Sequence, residues 1–282
     1  MSEEKSILIT GCSSGIGLCV AKGLRDRGYR VFASARRTED VERLRQDGLE
    51  SLQLDLNSSE SISDAVDKVL SITGGKLFSL FNNGAYGQSG AVEDLSRATL
   101  REQFETNLFG WHELTCRFIP VMRRQGEGRI IQNSSVLGFI TLPYRGAYVA
   151  SKYALEGLTD TLRLELKTSN IHVILVEPGP IESRFRQNSH RMWKKNIRAE
   201  DSPHRLKYQA MEARLEKEGP AAPFTLPPEA VLKCVIHALE SPNPKARYYV
   251  TFPTYLFGLL RRLLTTRGLD RVLLKVSGGG SR

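Results

Sequence analysis

The 282-residue chain has few cysteines and no long apolar run, and both absences restrict what it can be. Its four cysteines stand at positions 12, 19, 116 and 234, without the close spacing of a metal site or the pattern of a disulfide framework. No run of about 18 apolar residues occurs, so we expect no membrane-spanning helix. The first residues, Met-Ser-Glu-Glu-Lys, lack the apolar segment of a secretory signal. We therefore expect a cytoplasmic protein without a metal centre.

Acidic residues are outnumbered, with 31 Asp and Glu against 40 Lys and Arg and a formal net charge of +9. A basic balance favours anionic partners without choosing among them. Because no recognition-helix or aromatic-platform motif accompanies it, we expect no nucleic-acid binding. Internal repeats and disordered linkers are also absent from the core, and 40% of the residues are hydrophobic. A single domain with a full core is expected.

Short apolar runs alternate with helical patterns along most of the chain. This alternation predicts a single-domain α/β fold, a Rossmann-type doubly wound parallel sheet of about seven strands with helices on both faces. The catalytic domain is predicted over residues 1–252, with an extension over 253–282. Strands are predicted at 5–10, 30–35, 49–54, 77–82, 128–133, 171–176 and 246–251, and helices near 15–27, 39–47, 58–72, 97–124, 146–168, 203–217 and 227–240.

A glycine-rich turn follows the first strand and opens the first helix. It reads Thr-Gly-Cys-Ser-Ser-Gly-Ile-Gly over residues 10–17, with the spacing Gly-x-x-x-Gly-x-Gly. Glycines allow close backbone approach to a pyrophosphate, and the free N–H groups of a helix start face the anion. The turn therefore predicts a phosphate site formed by Gly11, Ser13, Ser14, Gly15, Ile16 and Gly17.

A tyrosine and a lysine lie four residues apart in Gly-Ala-Tyr148-Val-Ala-Ser-Lys152. This spacing places both side chains on one face of a helix. A nearby ammonium is expected to lower the pKa of the phenol, which is about 10 when unperturbed. Ser135 precedes the tyrosine by 13 residues.

Together these residues resemble the short-chain dehydrogenase/reductase family over roughly residues 5–250. Asn82-Asn83-Gly84-Ala85, Asn107 and Pro178-Gly179 follow the family's order. The amino-acid sequences of residues 10–17 and 135–143 are most similar to those of bacterial relatives of hydroxysteroid and retinol dehydrogenases. One departure is visible, because the family usually has Asn-Asn-Ala-Gly at residues 82–85, so the local turn is expected to differ.

The resemblance implies roles for these residues. Tyr148 would be the acid in carbonyl reduction, Ser135 would polarise the carbonyl oxygen, and Lys152 would hold the nicotinamide ribose. The 13-residue spacing to Tyr148 selects Ser135 over its neighbour Ser134. Asn107 would support a water relay to the lysine, whereas the residue taken alone favours a helix-interrupting or buried hydrogen-bonding group. Further cofactor contacts are implied for Asp55, Leu56, Asn83, Gly84, Pro178, Gly179, Ile181 and Ser183.

The end of the second strand indicates the cofactor. An NAD site usually has a carboxylate there, but this chain has Ala35 followed by Arg36 and Arg37. Because a guanidinium can clamp a 2′-phosphate, we predict NADP(H), with Arg36 first, Arg37 second and Ser13 as a helper. Either arginine is alternatively a solvated residue at a helix start.

Two basic segments remain. Residues 183–225 are predicted to form a lid, and its cations attract an anionic partner or are simply solvated. Phe139, Leu142, Pro143 and Tyr144 are expected to line an apolar pocket. After Pro253, leucines and cations alternate at roughly helical spacing, which is typical of a helix on an anionic membrane but also suits packing on the domain or on a second subunit.

The sequence thus predicts an NADP-dependent oxidoreductase that reversibly reduces lipophilic aldehydes or ketones to alcohols. A 3-oxoacyl-carrier reductase is the alternative, because a basic lid suits an acidic carrier. A non-catalytic cofactor-sensing regulator is disfavoured because Ser135, Tyr148 and Lys152 are all present. The family resemblance implies a homodimer or homotetramer.

Overall fold

The computed structural model describes residues 5–216, 219 and 222–278. They form one seven-stranded parallel sheet in the order β3-β2-β1-β4-β5-β6-β7. The strands are β1 Ser6–Ile9, β2 Arg30–Ala35, β3 Glu50–Gln53, β4 Ser79–Asn82, β5 Gly128–Asn133, β6 Ile171–Glu177 and β7 Arg247–Tyr249. All seven predicted strands and the doubly wound parallel architecture are confirmed.

Eleven α-helices cover the sheet within the described ranges. They are α1 Gly15–Arg25, α2 Thr38–Gln46, α3 Ser59–Ile72, α4 Arg97–Phe104, α5 Gly110–Gln125, α6 Gly146–Glu165, α7 Phe185–Asn196, α8 Arg205–Glu216, α9 Glu229–Glu240, α10 Phe252–Leu263 and α11 Thr266–Val276. The predicted helix at 203–217 corresponds to α8, and its last residue lies outside the described residues.

Helices cover both faces of the sheet, so successive strand residues enter different cores. Ile7 and Ile9 of β1 pack in a cluster that includes Leu24 of α1 and Val231 of α9. Leu8, between them, belongs to the opposite cluster, which is formed mainly with α3 and α5. All four β1 residues are buried, as the short apolar run predicts.

The chain order of the strands reverses beside β1, because β2 pairs with one edge of β1 and β4 with the other. In open parallel sheets a ligand crevice lies at this reversal, beyond the carboxyl ends of the strands. The glycine turn at 10–17 follows β1 directly and leads into α1, and the Asn-Asn-Gly-Ala segment at 82–85 begins with the last residue of β4. The topology therefore brings these two motifs together.

The single helix predicted over 97–124 is wrong in one respect. A five-residue π-helical segment, Glu105–Phe109, separates α4 from α5. At its end, a Cβ on Gly110 would lie 2.1 Å from the carbonyl oxygen of Leu56. The wider π turn coincides with this close backbone approach and with the buried side chain of Asn107.

The lid predicted over 183–225 contains one helix more than expected, because α7 precedes the predicted helix α8. Helix α7 buries only Ser189 and Trp193, four residues apart, and apart from Phe185 and Met192 the rest of its sequence is polar. Such a helix offers little apolar periodicity to recognise. Trp193 packs with Tyr208 of α8 in a small cluster of their own.

Candidate active site

The glycine turn shapes a cradle at the start of α1. Gly11 and Gly15 adopt left-handed backbone angles, with φ of +71° and +57°. A Cβ on Gly17 would lie 2.3 Å from the carbonyl oxygen of Gly11. Ser14 is the N-cap residue, yet its side chain caps no amide, and the first turn carries no acidic residue. The helix start is therefore suited to an anion.

Hydrogen bonds fasten this turn to the segment after β4. The buried hydroxyl of Thr10 accepts bonds from the backbone N–H groups of Asn83 and Gly84, both at 2.8 Å. The Asn83 amide donates to the carbonyl oxygens of Thr10 and Gly11, at 3.0 and 3.2 Å. Thr10 was not singled out from the sequence, although it is the first residue of the motif.

The Asn-Asn-Gly-Ala segment lies directly against the glycine turn. A Cβ on Gly11 would lie 2.5 Å from the Cα of Gly84, so the two backbones touch. A Cβ on Gly84 itself would meet Gly11 and Leu56 at 3.2–3.4 Å, which small shifts can relieve. This close approach therefore requires glycine at position 11, whereas position 84 has nearly enough room for the alanine that the family usually has there.

Tyr148 and Lys152 lie in the first two turns of α6, as predicted. Both are buried, and the Lys152 Nζ lies 5.8 Å from the centre of the Tyr148 ring. The ammonium donates a 2.8 Å bond to the Asn133 carbonyl oxygen and lies 4.2 Å from the centre of the Trp111 ring. These contacts fix the lysine beside the carboxyl end of β5.

Ser135 lies beside the phenol of Tyr148, and its hydrogen bond lowers the pKa of that group. The Ser135 Oγ also accepts a 3.1 Å bond from the N–H of Leu137. The side chain of Ser134 points toward Gly138 instead. A Cβ placed on Gly138 would lie only 2.6 Å from the Ser134 Oγ. The structure thus brings Ser135, Tyr148 and Lys152 together and leaves Ser134 out.

The electrostatics differ from the sequence prediction. Burial raises the pKa of Tyr148 to about 12, and the groups that lower it are Ser135 and the Arg145 guanidinium, not Lys152. Burial lowers the pKa of Lys152 to about 7, while the Glu156 carboxylate raises it. The chain thus holds a neutral phenol beside an ammonium that titrates near neutral pH.

Asn107 lies in the π-helical segment and is fully buried. Its amide donates to the carbonyl oxygen of Tyr86 at 2.9 Å and to the Ser151 Oγ at 3.3 Å. Its side-chain oxygen accepts from the N–H of Tyr86 at 3.2 Å. Both readings made from the sequence, a helix interruption and a buried hydrogen-bonding group, describe this arrangement.

An ionic network lies beneath Lys152. The Arg247 guanidinium on β7 bonds to Glu156, to Glu177 at 2.5 Å and to Asp160 at 2.6 Å. Glu156 and Glu177 are buried, and burial followed by repulsion from Glu156 raises the pKa of Glu177. This network was missed in the sequence, because its members lie far apart along the chain.

The two arginines after β2 differ in their partners. Arg37 bonds to the buried carboxylate of Asp40 at 2.9 Å, and Arg43 reaches the same carboxylate at 2.8 Å. Arg43 also donates a 2.7 Å bond to the Ser13 carbonyl oxygen. Arg36 is exposed and makes no ion pair among the described residues. Asp40 lies three residues after Arg37, and this spacing could have predicted the ion pair from the sequence.

The remaining predicted cofactor residues border the same crevice. Asp55 accepts a 3.0 Å bond from the N–H of Asn57, and Leu56 packs against Gly84. The chain after Pro178 and Gly179 runs to Ile181, which bridges to Leu226. Ser183 lies over the glycine turn, since a Cβ placed on Gly15 would lie 2.9 Å from the Cβ of Ser183.

The lid reaches the tyrosine directly. The Phe185 ring, at the start of α7, meets the Tyr148 ring edge-on with centroids 5.3 Å apart. Arg145 bonds to the hydroxyls of Ser89 and Ser189, so it joins the helix of Tyr148 to α7. Burial lowers the pKa of Arg145 to about 10. Neither Phe185 nor Arg145 was singled out from the sequence.

The predicted apolar pocket is partly wrong. Phe139 is buried in a cluster with Phe257 and Leu273 under α10 and α11, where Leu142 also packs. Tyr144 faces the lid and stacks edge-on against His204, while Pro143 is exposed. These residues follow the catalytic segment but divide between the lid and the C-terminal helices.

One cluster on the lid has ligand types that suit a metal, namely His190, Glu212 and Glu216. Lys194 already lies 3.3 Å and 3.5 Å from the two carboxylates. Its ammonium neutralises part of their charge and joins α7 to α8, so the cluster serves to hold the lid together.

The sequence matches the family described as short chain dehydrogenase over residues 5–194. The chain belongs to this family. It is 46% identical over 270 residues to the Escherichia coli K12 oxidoreductase YbbO, covering 96% of this chain and 94% of that protein.

Other relatives of this dehydrogenase family member are more distant. An NADPH-dependent 3-dehydrocapnine reductase from Ornithobacterium rhinotracheale is 31% identical, with 95% of each chain covered. Mouse retinol dehydrogenase 16 is 32% identical, covering 96% of this chain and 88% of that one. A short-chain dehydrogenase structure from Streptomyces avermitilis superposes with a TM-score of 0.76 at 28% identity, covering 99% and 100% of the chains. The predicted likeness to retinol dehydrogenases is confirmed.

A nicotinamide dinucleotide fits the residues present. The uncapped start of α1 and its glycine cradle suit the pyrophosphate. The buried Lys152 ammonium has three N–H donors but only one hydrogen-bond acceptor among the described residues, the Asn133 carbonyl. Its spare donors suit ribose hydroxyls. When bound, the nicotinamide supplies or accepts a hydride.

Proposed function

We propose that this short-chain dehydrogenase is an NADP-dependent carbonyl reductase that reversibly interconverts lipophilic aldehydes or ketones and their alcohols. The observation that carries the proposal is the placement of Ser135 and Lys152 beside the Tyr148 phenol, on the crevice that holds the glycine cradle.

The chain's own groups then have distinct tasks. The neutral Tyr148 phenol, kept protonated by burial, donates its proton to the carbonyl oxygen as the carbon is reduced. Ser135 donates a hydrogen bond that polarises this oxygen, and Arg145 stabilises the phenolate that remains. Lys152 holds the ribose, and Asn107 holds the Tyr86 backbone beside α6. In alcohol oxidation the same proton returns to the tyrosine.

The preference for NADP rests on the region after β2. Arg36 is the exposed guanidinium there without an ion pair among the described residues, whereas Arg37 is engaged by Asp40. A 2′-phosphate would pair with Arg36, and no carboxylate occupies the position of Ala35 to repel it. The similarity to an NADPH-dependent 3-dehydrocapnine reductase supports this assignment.

A lipophilic substrate is supported by the similarity to a retinol dehydrogenase. The acyl-carrier alternative depends on free positive charge on the lid. Several of these cations are instead paired within the protein, Lys194 with Glu212 and Lys195 with Glu102 at 2.7 Å. A free aldehyde or ketone is therefore the better proposal.

Two further expectations complete the proposal. The family resemblance supports a homodimer or homotetramer. The four cysteines are unpaired, which suits a reducing cytoplasm. No helix among the described residues has the length and apolar character needed to cross a bilayer.

The test replaces Tyr148 with Phe, which removes the proton donor and keeps the ring. NADPH oxidation should fall to near background with every aldehyde and ketone tried, while NADPH binding, followed by fluorescence, should stay close to wild type. The matched control is Tyr153→Phe, one turn further along the same helix. Wild-type turnover in Tyr148→Phe would contradict the proposal.

A further inference from the structure

Helix α10 carries an apolar stripe on its outward face. The stripe consists of Phe252, Tyr255, Leu256, Leu259 and Leu263, with exposed fractions of 56, 59, 37, 55 and 70%. Their spacing of three and four residues keeps them on one side of the helix. The opposite side is buried through Thr254, Phe257 and Gly258. This helix is therefore apolar both toward the protein and away from it, which requires an explanation.

A second element extends the stripe. Phe224 is 58% exposed, and its ring centroid lies 5.0 Å from that of Phe252. Its backbone lies in the left-handed region, with φ of +60°, which is unfavourable for a bulky residue. A strained backbone that presents an aromatic ring to solvent beside another exposed ring is hard to explain by folding alone.

Helix α11 follows after two residues and supplies positive charge. Arg267, Arg271 and Lys275 recur every four residues, so they form one exposed row. None of the three forms an ion pair within residues 5–216, 219 and 222–278, and Asp270 is the one acidic residue of α11. The buried side of α11, around Leu273, joins α10 in the cluster with Phe139.

We propose that α10 and α11 dock the protein on an anionic lipid bilayer. The apolar and aromatic stripe of α10, with Phe224, enters the interfacial region, and the cationic row of α11 contacts lipid phosphates. Aliphatic side chains, interfacial aromatics and unpaired cations on consecutive helices match the composition of such surfaces. A second copy of this basic chain would bring like charges together, so an anionic surface is the better complement.

The docking surface lies next to the site. The cluster beneath α10 and α11 includes Val136, Leu137 and Phe139, which follow Ser135 directly. A bilayer held against these helices would therefore present membrane-dissolved carbonyl compounds close to the catalytic segment. This part of the inference rests on the proposed function, whereas the docking itself does not.

Flotation with vesicles tests the docking with the full-length protein. Wild type should bind vesicles of phosphatidylcholine mixed with phosphatidylglycerol and bind phosphatidylcholine alone weakly. Arg267→Gln/Arg271→Gln/Lys275→Gln should reduce affinity for the mixed vesicles about 100-fold, since each cation near an anionic surface contributes about fivefold. Leu259→Ser/Leu263→Ser should weaken binding to both kinds of vesicle.

Matched control variants make the same change in charge or hydrophobicity at exposed positions outside α10 and α11. Lys68→Gln/Arg123→Gln/Arg124→Gln removes three exposed cations, and Ile72→Ser/Leu164→Ser removes two exposed apolar side chains. Both should bind mixed vesicles like wild type. If the charge control and the α11 variant lost vesicle binding equally, net charge alone would explain the binding, and the proposal would be overturned.

Two other results would also overturn it. One is wild-type protein that does not float with the mixed vesicles. The other is a Leu259→Ser/Leu263→Ser variant with unchanged flotation and a halved mass in sedimentation, which would assign the stripe to a second copy. Because flotation requires no turnover, it remains decisive if the proposed reaction fails.

Turnover provides the second readout. With a short water-soluble aldehyde, the α10 and α11 variants should match wild type. With a long-chain aldehyde dissolved in mixed vesicles, their rates should fall in parallel with binding. Unchanged rates with the vesicle-borne aldehyde would remove the link between docking and substrate supply.

Discussion

The ring of Phe185 packs edge-on against the ring of Tyr148, with centroids 5.3 Å apart and an angle of 64° between the planes. The first residue of α7 thus contacts the proposed proton donor itself. Gly87 makes this possible, because a Cβ there would lie 2.7 Å from the Phe185 ring. Lid position and access to the phenol are therefore coupled.

Replacing Phe185 with Ala should raise the KM for a lipophilic carbonyl substrate roughly two- to tenfold, the range expected for losing an aromatic pair. NADPH affinity should not change. Phe185→Leu keeps much of the side-chain volume, so its KM should lie close to that of the wild type. A KM unaffected by both variants would show that the lid contact plays no part in substrate binding.

Arg36→Asp should weaken NADPH binding roughly 10- to 100-fold, because a charge-assisted contact to the 2′-phosphate is lost and repulsion replaces it. NADH binding should change little. Arg37→Asp is the control, since Asp40 already holds that guanidinium. Dissociation constants from fluorescence titration would decide, and equal losses for both cofactors in Arg36→Asp would refute the predicted specificity.

Glu156→Gln should shift the pH dependence of turnover. Burial lowers the pKa of Lys152 to about 7, and Glu156 is the group that raises it. Removing this carboxylate should lower the pKa further. The ammonium is lost as pH rises through its pKa, so the alkaline decline in kcat/KM should begin at lower pH. Glu165→Gln, exposed at the end of α6, should leave the profile unchanged. An unshifted profile for Glu156→Gln would remove Lys152 as the titrating group.

Two glycine replacements should have unequal effects. Gly11→Ala places a methyl group 2.5 Å from the Gly84 backbone at a φ of +71°, so it should destabilise the fold by about 1–3 kcal/mol and abolish NADPH binding. Gly84→Ala meets contacts of 3.2–3.4 Å and should cost less than about 1 kcal/mol. Thermal unfolding with and without NADPH measures both. Equal destabilisation by the two would contradict the steric account.

The sequence predicted much of the fold because the information was local. Apolar runs such as residues 6–9 identified every strand, and the 13-residue spacing chose Ser135 over Ser134. Helix α7 was missed because its buried contacts, Ser189 and Trp193, give almost no periodic signal. The contact of Phe185 with Tyr148 could not be predicted, since it depends on how the lid folds back across the sheet.

The electrostatics of the site were the least predictable part. Four-residue spacing correctly placed Lys152 beside Tyr148 but did not reveal that Arg145, three residues earlier, is the cation acting on the phenol's pKa. It also gave no sign of Arg247, 91 residues beyond Glu156. Such contributions depend on burial and on tertiary contacts, which spacing along one helix does not encode.

The pairing of Arg247 with Glu156, Asp160 and Glu177 gives the last strand a role that its three residues do not suggest. The family match ends at residue 194, well before this arginine. A fragment cut at that boundary would leave three neighbouring carboxylates without their shared counter-ion, two of them deep in the protein. Chimeras and truncations of this enzyme should therefore be designed to retain the final strand together with the helix of Tyr148.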